Sequence, residues 1–347
     1  MKRIAIEKLI RPDLIGMMAY SSARDEYSGN ASVYLDANEN PYNNGVNRYP
    51  DPLQLKLKER ISEIKNVSKE QLFLGNGSDE CIDLLFRLFC ISGKDQVTAI
   101  NPSYGMYSVS ARINQIKLNE SKLNIDFSLN TEQIIKDAEG SKLLFICSPN
   151  NPTGNSFPKE QLIEILTRFD GIVVIDEAYI DFADDESMLT ELLNFSNLVV
   201  CQTFSKAYGM AGIRLGMLFA SPEIINWMNK IKPPYNINQL TQTFAFDKLV
   251  NLNQVQNEIE SIKKERSFLL KELARIQCVE KVYPSDSNFI LIKVKNTIDS
   301  YNYLKNNGIV VRNRSSQLLC ENCLRLTIGT PEENLLLLKT LKEMKYE

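Results

Sequence analysis

Short apolar runs alternate with longer segments of helical spacing along this 347-residue chain, and this alternation constrains the fold more than any other feature. Five such runs lie in the first 220 residues: QVTAI (96–100), KLLFIC (142–147), GIVVID (171–176), LVVCQTF (198–204) and RLGMLFA (214–220). Because the runs are hydrophobic almost throughout, we expect both faces of each strand to be buried, as in parallel strands covered by helices. The sequence therefore predicts an α/β fold with a mostly parallel central sheet flanked by helices.

A change in composition near residue 250 predicts a second domain. Residues 238–276 are charged and helically periodic, and two further strand-like runs, FILIKV and CLRLTI, follow them. The chain is also longer than a typical single core of roughly 100 to 150 residues. We predict a large domain over residues 31–250 and a smaller α/β domain over residues 251–347, joined by an N-terminal arm over residues 1–30.

The chain contains no histidine, which limits the chemistry that it can perform. Imidazole-dependent triads and histidine metal ligands are excluded, so acid and base steps fall to lysine, tyrosine, cysteine or carboxylates. The formal net charge of −3 provides no basic surface for nucleic acid. No run approaches the roughly 18 apolar residues of a membrane span, and charges interrupt the N-terminal apolar stretch. We therefore expect a cytoplasmic protein with no nucleic-acid or membrane partner.

The seven cysteines are expected to be reduced and buried, because their number is odd and several lie inside apolar runs. Cys320 and Cys323 form a CxxC pair. A zinc site would need two further cysteine or histidine ligands at a suitable spacing, and the chain has neither a second CxxC nor a histidine. We therefore predict no metal site.

Four clusters of polar residues, three of which contain glycine, follow apolar strand-like segments. They are GNGSDE (75–80), NPSYGMY (101–107), SPNNPTGN (148–155) and DEAYIDF (176–182). Ligands of open α/β sheets gather at the carboxyl ends of the strands, where such clusters meet. The four clusters therefore predict one shared site.

The first two clusters fit a planar, phosphate-bearing ligand, although each has a simpler explanation. Gly77 and Ser78 begin a predicted helix, where free backbone amides suit a phosphate, but an ordinary helix cap would use the same residues, and Asp79 would repel a phosphate aimed at it. Tyr104 and Tyr107 could stack on a ring or simply pack at the start of a helix.

The fourth cluster and a fifth segment, TFSKAYGMAGIRLG, contain groups that could together bind pyridoxal phosphate. Asp176 ends a buried strand, where an unpaired carboxylate is costly and a pyridinium N–H would be a suitable partner. Lys206 follows another strand in TFSKAYGMAGIRLG, a setting that can hold an amine toward a bound carbonyl. Ser205 and Arg214 can contact a phosphate, and Tyr179 can donate to a ring hydroxyl. A lone aspartate or lysine would be unremarkable, and it is the order and spacing of the clusters that favours one site.

Several of these motifs together resemble the histidinol-phosphate aminotransferase family, within the aspartate aminotransferase superfamily of fold type I pyridoxal phosphate enzymes. The resemblance covers nearly the whole chain and rests on LDANENPY, RYPDP, GNGSDE, SPNNPTG, FSKAYGMAGIRLG and CLRLTIGTPEEN. It implies that Lys206 binds the cofactor aldehyde covalently and acts in catalysis with Asp176 and Tyr179. The implied cofactor-binding residues are Gly77, Ser78, Tyr104, Asn151, Asp176, Tyr179, Ser205, Lys206, Arg214 and, from a neighbouring subunit, Tyr49.

The same resemblance implies a substrate site and a homodimer with shared sites. Arg312 and Arg325 would bind the anionic end of the substrate, with Asn151 beside them and Tyr20 closing over it. Arg314 has no clear family counterpart. A solvated charge is the alternative for each of these arginines.

The implied reaction moves an amino group from histidinol phosphate to 2-oxoglutarate, as a step of histidine biosynthesis. Three alternatives stay open at this point. They are an aromatic amino acid aminotransferase, a threonine-phosphate decarboxylase of the same fold, and a cofactor-binding transcription regulator. The regulator would need an added DNA-binding domain, and motifs that begin near residue 35 are expected to leave no room for one.

Overall fold

The structure is a computed structural model that describes residues 2–20 and 31–344. Its helices are α1 (Leu55–Lys65), α2 (Gly77–Phe89), α3 (Met106–Ile113), α4 (Thr131–Asp137), α5 (Lys159–Arg168), α6 (Pro222–Ile231), α7 (Gln239–Leu249), α8 (Asn253–Leu273), α9 (Thr297–Asn306) and α10 (Pro331–Glu343). Its strands are β1 (Leu72–Asn76), β2 (Gln96–Asn101), β3 (Lys117–Lys122), β4 (Leu143–Cys147), β5 (Ile172–Asp176), β6 (Leu198–Thr203), β7 (Leu215–Phe219), β8 (Val279–Val282), β9 (Phe289–Val294), β10 (Arg312–Asn313) and β11 (Cys323–Thr327).

The first seven strands form one sheet in the order β1-β7-β6-β5-β4-β2-β3. Strand β7 runs antiparallel to its neighbours β1 and β6, and the other pairings in this sheet are parallel. The predicted mostly parallel sheet is therefore confirmed. The five apolar runs correspond to β2, β4, β5, β6 and β7. Strand β3 was not predicted because its sequence, KLNESK, is polar, and it lies at the sheet edge, where charged side chains are tolerated.

Helices cover both faces of the large sheet. In β4, Leu144 and Ile146 point into a hydrophobic cluster with α1 and α5, whereas Leu143 and Phe145 point into a cluster with α2 and α6 on the other side. Successive strand residues alternate between the two clusters, so nearly every position requires an apolar side chain. This packing explains why the predicted strands read as continuous hydrophobic runs.

The last four strands form a separate antiparallel sheet in the order β10-β11-β9-β8. On one of its faces, Ile292 and Leu324 share a hydrophobic cluster with α8, α9 and α10. On the other face, Phe289, Leu291 and Cys323 belong to the hydrophobic cluster of the large sheet. The second face of the small sheet therefore packs toward the large sheet.

The helical stretch expected over residues 238–276 consists of two helices, α7 and α8. The side chain of Asn251 accepts a hydrogen bond from the N–H of Asn253 at 3.0 Å, between the two helices. Such a local side-chain bond competes with continued helical pairing. Along α8, Ile259 packs against the cluster of the large sheet and Leu273 lies in the cluster of the small sheet, so this helix connects the two.

The described part of the N-terminal segment packs on the large sheet, which differs from the expectation that grouped residues 1–30 with the small domain. Ile6 and Ile10 are buried in the cluster that contains α2 and α6. The N–H of Arg11 donates to the carbonyl of Leu88 at 3.0 Å. Burial of these isoleucines against α2 holds the segment there. Residues 21–30 of the predicted arm lie outside the described residues.

Among the described residues, no helix is both long enough and apolar enough to span a membrane.

Candidate active site

Strands β4, β5 and β6 end at one cavity of about 140 Å³. Predicted site residues make up much of its wall, namely Ser78, Tyr104, Asp176, Tyr179, Ser205, Lys206 and Arg214. The wall also includes Asp79, Cys147, Ala178, Thr203 and Ala211. The clusters that follow separate strands in the sequence therefore meet in space, because the parallel strands deliver their carboxyl ends to the same edge of the sheet.

Asp176 is the buried anion of the cavity, with 2% of its surface exposed. Its Oδ2 accepts a hydrogen bond from the Tyr107 hydroxyl at 2.7 Å, and its Oδ1 accepts one from the N–H of Ala178 at 3.1 Å. Burial raises the pKa of Asp176 to about 6, although both hydrogen bonds act in the opposite direction. A cationic N–H donor next to this carboxylate would remove the cost of burying its charge.

Tyr107 packs at the start of α3, which is the simpler of the two explanations that the sequence left open. It is buried and stacks on Phe145, with ring centroids 4.9 Å apart. Its hydroxyl therefore fixes the carboxylate of Asp176 from a position outside the cavity wall. Tyr104, by contrast, lines the cavity. Tyr107 lies in the segment MYSVSARI, whose mixture of polar and apolar residues gives no sign that its hydroxyl pairs with Asp176.

Lys206 lies three residues beyond the end of β6, where its side chain is accessible within the cavity. Its Nζ is 5.7 Å from the centre of the Tyr179 ring. The surrounding protein lowers the pKa of Lys206 by desolvation, and the positive charge of Arg325 lowers it further. A lowered pKa increases the fraction of neutral amine, the form that can act as a nucleophile or base.

One end of the cavity has the donors of an anion site. Gly77, with a φ of +75°, starts α2, and a Cβ at this position would lie 2.6 Å from Nη2 of Arg214. Arg214 itself has a left-handed φ of 53°, a conformation that is uncommon outside glycine and that clusters at functional sites. Its Nη1 lies 3.5 Å from the Ser205 hydroxyl. Helix N–H groups, a hydroxyl and a guanidinium thus converge here, which suits a phosphate.

Gly216 contributes to this end of the cavity and was not singled out in the sequence. A Cβ at Gly216 would lie 2.2 Å from the backbone nitrogen of Ser78. The absence of a side chain in β7 therefore allows the start of α2 to pack directly on the sheet.

Asp79 also lines the cavity, but its charge is engaged. Its Oδ1 accepts from the Tyr104 hydroxyl at 3.0 Å, and its Oδ2 lies 3.5 Å from Nη2 of Arg214. These contacts draw the carboxylate toward two residues of the wall, so it can position them instead of simply repelling an anion.

A chain of hydrogen bonds connects the cavity to the small sheet. The Nδ2 of Asn151 donates to the Tyr179 hydroxyl at 3.2 Å, and Nη1 of Arg325 donates to Oδ1 of Asn151 at 2.5 Å. Arg325 also lies 5.0 Å from the centre of the Phe289 ring. The loop after β4 and strand β11 are therefore joined beside the cavity, and the roles predicted for Asn151 and Arg325 remain predictions.

Six predicted residues are not part of the cavity wall. Three of them, Gly77, Asn151 and Arg325, border it through the contacts described above, and the other three lie farther out. Tyr49 is 50% exposed and stacks on Tyr235, with ring centroids 4.4 Å apart. Tyr20 is 67% exposed. Arg312 is exposed and lies opposite Arg325 in the pairing of β10 with β11. The roles predicted for these three residues remain predictions.

Comparison with known proteins identifies the class of protein. Residues 26–341 match the family of class I and II aminotransferases, and the chain belongs to this family. A protein of Christiangramia forsetii named histidinol-phosphate aminotransferase is 53% identical over 350 residues, which cover 100% of both chains.

Solved structures agree with this assignment. The structure of a histidinol-phosphate aminotransferase from Clostridium acetobutylicum matches with a TM-score of 0.80 and 28% identity, over 86% of this chain and 90% of that one. The histidinol-phosphate aminotransferase from Sinorhizobium meliloti, solved in complex with pyridoxal-5'-phosphate, matches with a TM-score of 0.78 and 21% identity, over 85% of this chain and 82% of that one. The second match shows the shared fold, which confirms the predicted fold type I architecture.

Proposed function

We propose that this chain is a transaminase that moves an amino group from histidinol phosphate to 2-oxoglutarate, forming imidazole acetol phosphate and glutamate. The observation that carries the proposal is the hydrogen-bonded connection from Tyr179 through Asn151 to Arg325, which couples a Lys206–Asp176 cavity to an anion-binding group. The full-length relative at 53% identity has the corresponding name. The alternatives of an aromatic aminotransferase or a decarboxylase are not favoured.

The cavity residues fit pyridoxal 5'-phosphate. Asp176 is a buried carboxylate that forms no salt bridge within residues 2–20 and 31–344, and burial raises its pKa, so a cationic N–H is a suitable partner. Gly77, Ser78, Ser205 and Arg214 provide the donors for a phosphate. Tyr104 on the cavity wall is available to stack on the ring, and Asn151 with Tyr179 can bind the ring hydroxyl.

When bound, pyridoxal phosphate supplies an electron sink for the charge that develops at the amine-bearing carbon of the substrate. Asp176 would hold the ring N–H, and its hydrogen bonds from Tyr107 and Ala178 orient the carboxylate and favour its charged form. Lys206 Nζ, with its lowered pKa, would hold the cofactor aldehyde at rest and would accept the proton from the substrate carbon during turnover.

Arg325 receives the anionic end of each substrate in turn. A guanidinium fork can bind either a phosphate or a carboxylate, so the same cation can serve histidinol phosphate in one half-reaction and glutamate or 2-oxoglutarate in the other. Arg312 lies opposite Arg325 and adds a second cation. Tyr20 closes over the substrate in this proposal.

The proposal includes a homodimer with shared sites. Tyr49 is half exposed and stands outside the cavity of its own chain, so it is available to contact the cofactor phosphate in a partner subunit. Glu39 holds this segment, because its Oε1 accepts from the N–H of Tyr49 at 2.6 Å and its Oε2 accepts from Arg48 at 2.7 Å. The cytoplasmic location likewise remains a sequence-based prediction.

The test is to offer the purified, cofactor-loaded protein histidinol phosphate, phenylalanine and threonine phosphate in parallel, with 2-oxoglutarate as acceptor. We expect glutamate to form rapidly with histidinol phosphate. Turnover of phenylalanine alone would instead identify an aromatic aminotransferase. Release of carbon dioxide from threonine phosphate would identify a decarboxylase.

A further inference from the structure

Three arginines lie on one face of the small sheet. Arg312 is directly opposite Arg325 in the antiparallel pairing of β10 with β11, so their side chains share a face. Arg314 follows two positions after Arg312, and its N–H donates to the carbonyl of Cys323 at 2.9 Å, which continues the same ladder. Because alternate residues of a strand point to the same side, Arg314 also lies on this face. We call these three side chains the arginine face.

The arginine face is directed toward the cavity. Arg325 reaches Asn151, and Phe289, on the same side of the sheet, packs in the cluster of the large sheet. Gln317, three residues beyond Arg314, donates through Nε2 to the carbonyl of Ser103 at 3.4 Å, next to Tyr104 on the cavity wall. The segment that carries Arg314 is therefore held against the large domain beside the site.

The arginine face lacks negative partners. Within residues 2–20 and 31–344, none of its three guanidinium groups forms a salt bridge with a carboxylate. The Nε atoms of Arg314 and Arg325 are shielded from solvent and have no hydrogen-bond partner in this part of the chain. Burial, with the charges of Arg325 and Arg312, lowers the pKa of Arg314 to about 10, so it remains charged at neutral pH. A bound anion would offset both the repulsion and the missing hydrogen bonds.

We propose that Arg314 is a specificity-determining residue that makes the arginine face select a phosphate dianion over a carboxylate. This inference rests on the proposed function, in which the same face accepts a phosphate in one half-reaction and a carboxylate in the other. A phosphate monoester near neutral pH carries about two negative charges and has enough acceptor oxygens for a third guanidinium. Loss of one cation costs such a dianion about twice the Coulomb energy that it costs a carboxylate at the same distance.

The experiment measures the two half-reactions separately, in single turnover, for the cofactor-loaded wild type and for Arg314→Gln and Arg314→Lys. We expect Arg314→Gln to lower kcat/KM for histidinol phosphate about tenfold or more and to lower it for glutamate less than about threefold. Arg314→Lys keeps the charge without the fork, so it should recover part of the loss with histidinol phosphate. Arg275→Gln, an exposed arginine paired with Glu272, is the matched control and should leave both half-reactions unchanged.

Equal losses in the two half-reactions, or no loss in either, would overturn the selective role of Arg314. Thermal unfolding of each variant checks that the fold is intact, and Arg314→Met, which keeps the apolar stem, replaces Arg314→Gln if that variant fails to fold.

A second measurement separates this inference from the proposed function. Inorganic phosphate is used as a competitive inhibitor of the glutamate half-reaction, and we expect its inhibition constant to rise about tenfold in Arg314→Gln. If the wild type does not act on histidinol phosphate, the proposed function is wrong, but a phosphate inhibition constant that still depends on Arg314 supports the inference. An inhibition constant that is the same in both proteins would then overturn it.

Discussion

The cavity at the edge of the large sheet and the arginine face of the small sheet differ in how far their charged groups are paired within the protein. In the cavity, the buried carboxylate of Asp176 accepts hydrogen bonds from Tyr107 and Ala178. On the arginine face, three cations lie together, and Arg325 alone of the three has a side-chain hydrogen bond to another described residue, at Asn151. In the proposed function, the cavity would hold a resident cofactor and the arginine face would bind the anionic end of each substrate.

This difference suits two functions within one site: permanent binding of a cofactor and exchange of substrates. A resident cofactor is best served by groups that are already oriented, because no reorganisation is then needed during turnover. A site that must exchange phosphate for carboxylate benefits from cations that are not committed to an internal partner. Arg325 belongs to both regions, since Asn151 ties it to Tyr179 in the cavity.

The largest effect on turnover is expected in the cavity, from Lys206→Ala. Loss of the amine that binds the cofactor and accepts the substrate proton should lower turnover by about 10⁴-fold or more. Cofactor should still bind noncovalently. Borohydride reduction followed by peptide mass analysis should locate the covalent adduct on Lys206 in the wild type and find none in the variant. Lys263→Ala, at an exposed ion pair with Asp184, is the control and should keep full activity. Full activity of Lys206→Ala would refute the role assigned to Lys206.

Asp176→Asn is expected to have the next largest effect, with a fall in kcat of about 10³-fold, because an amide cannot stabilise a cationic ring nitrogen. In the cofactor-free protein, by contrast, Asp176→Asn should raise the free energy of unfolding at neutral pH, because it removes a buried charge. The pKa of Asp176 is raised by burial from 3.8 to about 6, which at 1.36 kcal/mol per pH unit is about 3 kcal/mol.

The pH dependence follows from the direction of that shift. Below about pH 4 the carboxyl is protonated in both the folded and the unfolded chain, so it costs nothing; above about pH 6 the full cost of the buried charge is present. The cofactor-free wild type should therefore lose stability between these values, and Asp176→Asn should not. Urea unfolding at pH 4 and pH 7.5 measures this difference, and an equal pH response in both proteins would contradict it.

A smaller effect is expected on the arginine face, from Arg325→Lys. The variant keeps the charge but loses the fork and the bond to Asn151, so kcat/KM should fall about 30-fold for both histidinol phosphate and 2-oxoglutarate. A loss confined to one substrate would show that the two anions do not share this cation. Arg168→Lys, at an exposed cluster with Glu132 and Glu164, is the matched control.

Much of the fold could be predicted because its strands are buried on both faces. Strands β4 and β5 read as unbroken apolar runs for this reason, and the polar residues that follow them, such as Asn151 and Asp176, mark the strand ends. Strand β10 could not be predicted, since it has two residues and both are exposed. Its pairing with β11 is visible only in the folded chain.

The cavity residues were predictable in kind, whereas some of their contacts were not. Lys206 and Asp176 could be paired through the order of their motifs. The bond from Tyr107 to Asp176 and the close approach of Gly216 to Ser78 join residues that are far apart in the chain. Sequence periodicity contains no information on such pairs, because it describes one element at a time.

The amino-acid sequence alone determined the alternation of strands and helices, the absence of imidazole chemistry and the set of functional groups at the strand ends. These are properties of local pattern and residue type. Only the tertiary structure decided that Asp176 has a raised pKa, that Arg325 joins the two domains through Asn151, and that Arg314 lies beside Arg325 without a carboxylate partner in the described chain. The physical reason is that desolvation and Coulomb interaction depend on distances in space, which the folded chain alone sets.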